Sequence, residues 1–249
     1  MIDYSALLQS IRRMQAIADS AQETQRFVKR FLEENELIAR LYKNRIRKYL
    51  ANRGWYVAGS LCGNEYPALA KAIKENRHSE VEEFLQSHVR SRVQEIQRES
   101  SERWPDRARI MNDAFEVHLE RKYTLSIPVF LAQADGICYE ILEAFLFTDR
   151  SGKVVQKVKE LQREYPPTTP LAGSFLGLLL EASGLREDTG KRDEFQKAGI
   201  SVSPLNRHGV LHEIDSDYGT KSNSLRSISL LSFLAEVDSI VSKKGHRDS

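Results

Sequence analysis

The chain has 249 residues, 41% of them hydrophobic and 29% charged, with a net charge of +2. That length and composition allow a substantial buried core and exclude wholesale disorder. The near-neutral balance excludes a general electrostatic attraction to nucleic acid, so any such binding has to be local.

The two cysteines, Cys62 and Cys138, are far apart and not spaced as metal ligands. Free thiols of this kind fit a reducing cytoplasm. The sequence opens on polar residues rather than a signal peptide, and no continuous apolar run approaches the ~20 residues needed to cross a bilayer. A cytoplasmic protein without membrane contact is the expectation.

In chain order, helical periodicity dominates. Leu7, Leu8, Ile11, Met14, Ile17 and Ala18 recur at three- and four-residue intervals, the pattern of one helix face. A second stripe runs through Phe27, Val28, Phe31 and Leu32 and continues to Leu50, until Arg53-Gly54 supplies a basic last turn and a glycine stop. Residues 54–66 carry three glycines and no period, which predicts a connector. Pro67 then opens a helix over 68–76, and Ser79 caps one reaching about Ser100. Trp104-Pro105 breaks the chain, and Asp106 starts a helix ending near Lys122. Ser126 opens the most apolar helix, from Ile127 to Phe147. A turn at 149–152 precedes a charged helix from Lys153 to Glu164, and YPPTTP over 165–170 stops it. Short helices are expected at 171–183 and 191–197. Ser203-Pro204 starts a helix over 204–214, residues 215–223 form a polar loop, and Ser224 to Ser242 is the last helix. With no alternating strand pattern, the fold class is all-α: a helical bundle with an N-terminal helical region over 1–100 and a second helical domain over 101–249.

Several motifs are missing: no phosphate-binding glycine loop, dinucleotide fingerprint, nucleophile elbow or zinc-protease pair occurs. What remains is a dense polar cluster, Asn206-Arg207-His208-Gly209-Val210-Leu211-His212-Glu213, holding two of the six histidines. On a regular helix His208 and His212 lie about 40° apart, whereas Arg207 and His212 diverge by about 140°. Joining the latter two therefore needs an irregular helix around Gly209 or a second copy of the chain. His208 and His212 are also a permissive metal pair, with Glu213 or His118 as the nearest candidate third ligand, short of the three protein ligands zinc usually takes. Lys43, Arg45, Arg47, Lys48 and Arg53 form a basic stretch, which behind Glu33, Glu34 and Glu36 reads as a solvated face.

The spacing from Arg207 to His212, with the surrounding LNRHGVLHE, the loop DYGTKSN and the helix LRSISLLSFL, resembles the Arg-polar-x-x-x-His motif of the HEPN superfamily. Upstream, RARIMNDAFEVHLERKYTLSIPVFLAQADGICYEIL is similar to helices preceding that motif in bacterial HEPN-like proteins, so the likeness covers about residues 103–242. It implies a homodimeric, metal-independent endoribonuclease without cofactor, of the toxin–antitoxin, abortive-infection or antiviral type, with RNA and an antitoxin or defence component as partners. Arg207 would hold the scissile phosphate, since its fork stays charged and matches phosphate geometry. His212 would move the proton as general base or acid. His208 would assist; Asn206 and Tyr218 would bind ribose or base, or serve as a cap and a core hydroxyl. Asp135, the one acid in an apolar stretch, would pair with Arg207 or His212 if buried. A non-catalytic relative serving as a dimerising or nucleotide-sensing module is the alternative. Glycine often follows the histidine in similar sequences; here that residue is Glu213.

Overall fold

The structure is a computed structural model that describes residues 4–57, 59–147, 152–164, 170–181, 183–186, 194, 197 and 203–245. Among these residues there is no strand, and the fold is all-α. In chain order the helices are α1 (Tyr4–Leu41), α2 (Arg47–Arg53), α3 (Glu65–Lys74), α4 (His78–Ser91), α5 (Val93–Arg103), α6 (Ala108–Leu119), α7 (Tyr123–Leu142), α8 (Lys153–Glu164), α9 (Pro170–Leu176), α10 (Arg207–Leu211) and α11 (Lys221–Gly245). A π-turn, Tyr42–Ile46, joins α1 to α2, and 3₁₀ turns occupy Pro105–Arg107 and Gly177–Leu180. The expected turn at 149–152, the YPPTTP break up to residue 169 and the helix over 191–197 lie wholly or largely outside the described residues.

The core is built around α7, which packs between α6 and α11, while α11 also lies against α4 and α5. Ile127, Phe130, Leu131, Ala134, Ile137 and Cys138 of α7 are buried together with Leu225, Ile228, Leu231 and Phe233 of α11. By length and composition α7 does reach what a membrane crossing needs, contrary to the sequence reading, yet half of its apolar window is buried inside the protein. One contiguous hydrophobic cluster runs from Ile38 to Val237 and includes Trp55 and Tyr56 of the glycine-rich connector. That connector is tied to α11 by polar bonds as well. Arg226 donates to the Arg53 carbonyl (2.8 Å), pairs with Glu82, and lies 4.8 Å from the Trp55 ring, whose Nε1 also donates to Glu82 (3.0 Å).

Several boundaries differ from the sequence reading, for identifiable reasons. The two N-terminal stripes form one helix, because nothing between residues 18 and 27 stops it. The helix expected to start at Ser79 instead starts at His78 with no side-chain cap and breaks at Arg92 (φ −106°, ψ 2°). α3 begins two residues before Pro67, which occupies its first turn. The apolar helix begins at Tyr123 and takes Pro128 inside it, ending five residues before Phe147. Four stops use left-handed residues other than glycine: Asn76, Arg121, Glu143 and Glu213. At Asn76, Arg121 and Glu213 the chain turns back with paired bonds to the helix just ended, as in Arg77 N to Ala72 O (3.0 Å) and Lys122 N to Val117 O (2.9 Å), and at Glu143 with one, to Tyr139 O (2.8 Å).

Candidate functional site

The polar cluster sits on α10, which is one helical turn and a half, not the eleven-residue helix expected over 204–214. Ser203 and Pro204 do not start it. The Ser203 hydroxyl instead accepts from the Leu205 amide (3.1 Å), and the chain stays extended through Asn206 (φ −126°, ψ 122°). Asn206 is the cap. Its Oδ1 accepts from the Gly209 amide (2.7 Å), satisfying a donor that the first turn leaves open. Its Nδ2 donates to the Gly184 carbonyl (2.6 Å), and the Arg207 amide bonds to Leu185 O (3.0 Å), fastening α10 to the segment 183–186.

The far end is fixed as firmly. The Glu213 amide bonds to Val210 O (3.3 Å) and that of Ile214 to Gly209 O (2.9 Å), with Glu213 at φ +54°. This pairing is the Schellman stop, whose left-handed position favours glycine. A side chain on Gly209 would meet the Asp215 carboxylate, which would have to shift to admit it.

This short turn brings His208 and His212 together, with ring centroids 4.3 Å apart; His212 is exposed and His208 half-buried. Arg207, half-buried, has its Cζ 5.8 Å from the centre of the Phe147 ring, and its Nε is buried with no hydrogen-bond partner among the described residues. Phe147 is held in turn by Asp135, whose Oδ1 accepts from the Phe147 amide (3.1 Å). Asp135 thus reaches Arg207 through Phe147, and no ion pair joins it to Arg207 or His212 among the described residues. Nor is a contact between the Arg207 and His212 side chains present there. Phe147 went unnoticed in the sequence; nothing in its spacing marks it as the ring beneath an arginine five dozen residues on.

Tyr218 donates to the Thr124 carbonyl (3.1 Å). Pro128 lacks the amide that would otherwise bond that carbonyl four residues back, so Tyr218 supplies the missing donor to α7. His118 is buried, its Nδ1 2.7 Å from Ser224 Oγ, and burial lowers its pKa to about 4. It is not a third ligand beside the histidine pair, and no group of three or more His, Cys, Asp or Glu able to hold a metal occurs among the described residues. Of the basic stretch, Arg47 is paired with Glu181 (2.6 Å) and Arg53 lies over the Tyr49 ring (4.7 Å).

No family model, no curated protein and no solved structure matches this chain.

Proposed function

We propose that the chain is a metal-independent endoribonuclease of HEPN type, acting as a cytoplasmic homodimer in a toxin or phage-defence role. In this reading residues 101–249 form the HEPN-like unit and residues 1–100 its helical extension. The observation that carries it is α10: a capped turn that carries Arg207, its buried Nε unpartnered among the described residues, and two imidazoles whose rings lie 4.3 Å apart, that of His212 exposed.

Arg207 grips the scissile phosphate and offsets the extra charge that develops as a fifth oxygen bonds phosphorus. The Phe147 ring, 5.8 Å from the Arg207 Cζ, adds a cation–π attraction that helps to hold the guanidinium in place. His212 takes the proton from a ribose 2′-hydroxyl, whose oxygen attacks the adjacent phosphorus. The bond from phosphorus to the 5′-oxygen breaks, and that oxygen receives a proton from the His212 of the other subunit. The products are a 2′,3′-cyclic phosphate and a 5′-hydroxyl, so DNA, lacking the 2′-hydroxyl, is not cut. The divergence of Arg207 and His212 around one turn is the reason two copies are required.

The test is incubation of mixed RNA with the purified protein in excess chelator. Cleavage with cyclic-phosphate ends, reduced at least about a hundredfold in both Arg207→Ala and His212→Ala, is the expected result. Cleavage that needs added metal overturns the reading. A dimer that binds RNA or nucleotides without cutting leaves the non-catalytic dimerising or sensing module.

A further inference from the structure

The first helix carries a feature the proposed reaction does not use. At about 1.5 Å per residue, the 38 residues of α1 extend about 57 Å. Among its described side chains, Ile38 and Ala39 at the C-terminal end are buried, while from Glu23 to Leu37 every residue except the half-buried Asn35 is exposed. In that stretch stand Phe27 (69% exposed), Val28 (47%), Phe31 (55%) and Leu32 (45%). These four residues share one face, and that face continues into the buried Ile38, Ala39 and Tyr42. The same stripe is therefore covered inside the body and bare outside it. An exposed helix stretch gains nothing from such residues in water.

The charges beside the stripe say what covers it. Arg26, Lys29 and Arg30 form a basic block, followed directly by the acidic block Glu33, Glu34 and Glu36. Lys29 and Glu36 are seven residues apart and so border the same edge of the apolar face. Two copies of the helix running parallel in register would set like blocks together. Two copies crossing antiparallel near Phe31 and Leu32 set Lys29 of each against Glu36 of the other, and Arg30 against Glu34. The four apolar side chains of each copy meet at the centre. Such an interface is self-complementary, as a two-fold contact must be.

We propose that α1 is a dimerisation arm, pairing antiparallel with α1 of a second copy across Phe27, Val28, Phe31 and Leu32. The pairing is independent of the Arg207 and His212 turn, and it holds whether or not that turn cuts RNA.

The full-length chain is compared by sedimentation velocity, at low salt, with Lys29→Glu/Arg30→Glu and with Glu34→Lys/Glu36→Lys. None of these residues touches the core, and circular dichroism checks that both variants keep the wild-type helix content and melting transition. Each variant alone is expected to dimerise about a hundredfold more weakly, because both edges then carry one sign of charge. An equimolar mixture of the two restores the dimer as a heterodimer. Phe27→Ser/Phe31→Ser weakens dimerisation without rescue by mixing. A monomeric wild-type chain, a dimer indifferent to both charge reversals, or one that forms only with another protein or a lipid vesicle present overturns the proposal.

Discussion

Asn206, Glu213 and Tyr218 each do a definable job, and each can be tested alone. Asn206 closes both the start of α10 and the contact to Gly184 from a fully buried side chain. Asn206→Ala is expected to cost about 2 kcal/mol in denaturant unfolding, above a surface cap, because the Gly184 carbonyl is left without its donor. Cleavage, where present, should fall with it, since the turn that orients Arg207 loosens. Glu213 is the opposite case, an L-residue held left-handed where glycine would be unstrained. Glu213→Gly should stabilise the fold by about 1 kcal/mol, read in the same unfolding experiment. Tyr218→Phe should cost about 1 kcal/mol and leave any RNA cleavage unchanged, because its hydroxyl serves the Thr124 carbonyl; a loss of activity at unchanged stability would restore it as an RNA contact. The candidate cluster was visible in sequence because histidine is sparse, six in the chain, and two of the six crowd together beside an arginine there. Asn206 as the cap, and Phe147 beneath Arg207, were not, because one depends on where the helix starts and the other on a contact across sixty residues.

At the level of elements, periodicity located most helices, and glycine or proline located their ends only where those residues were used. Gly54, at φ +72°, stops α2 where the sequence placed the stop. Asn76, Arg121 and Glu213 stop α3, α6 and α10 with no such signal, and Pro128, usually a helix opener, sits in the second turn of α7. The interior position of Pro128 is tolerated because Tyr218 compensates for the missing amide, a long-range fact that no local window contains. The pairing of Glu82 on α4 with Arg226 on α11 was equally hidden, since 144 residues separate them. Arg226 is almost fully buried, and each of its three guanidinium nitrogens finds an acceptor among Arg53, Ser222, Asn223 and Glu82. Glu82→Leu strands that guanidinium in the core and should cost about 3 kcal/mol, measured by urea unfolding. Glu82→Leu combined with Arg226→Met should recover part of the loss, because the remaining partner no longer carries a buried charge.

Over the whole molecule two buried groups set opposing pH dependences. Burial lowers His118 to about 4, so between about 4 and its ordinary 6.5 the unfolded chain holds a proton that the folded chain does not. Stability from this group is complete above 6.5 and is lost as the pH falls through that window. Glu236 is displaced the other way: burial raises it to about 7 against an ordinary 4.5, despite the hydrogen bond its carboxylate accepts from the Gly59 amide (3.0 Å). Between 4.5 and 7 the folded chain holds the proton and the unfolded chain releases it, so stability from this group is present at low pH and lost as the pH rises. From 4.5 to 6.5 the slopes of these two groups oppose one another, while His88, lowered by burial, adds to the rise of stability with pH. His118→Gln removes a rising contribution, and its melting temperature should fall relative to the wild type as pH increases from 4.5 to 6.5. Glu236→Gln removes the falling one, and its melting temperature should climb from pH 4 to 6.5. Calorimetry at half-unit steps separates the cases: parallel curves for all three proteins would mean that neither burial holds its group as described. Opposite slopes relative to the wild type, one per variant, would show that α6 and α11 each bury a titratable group.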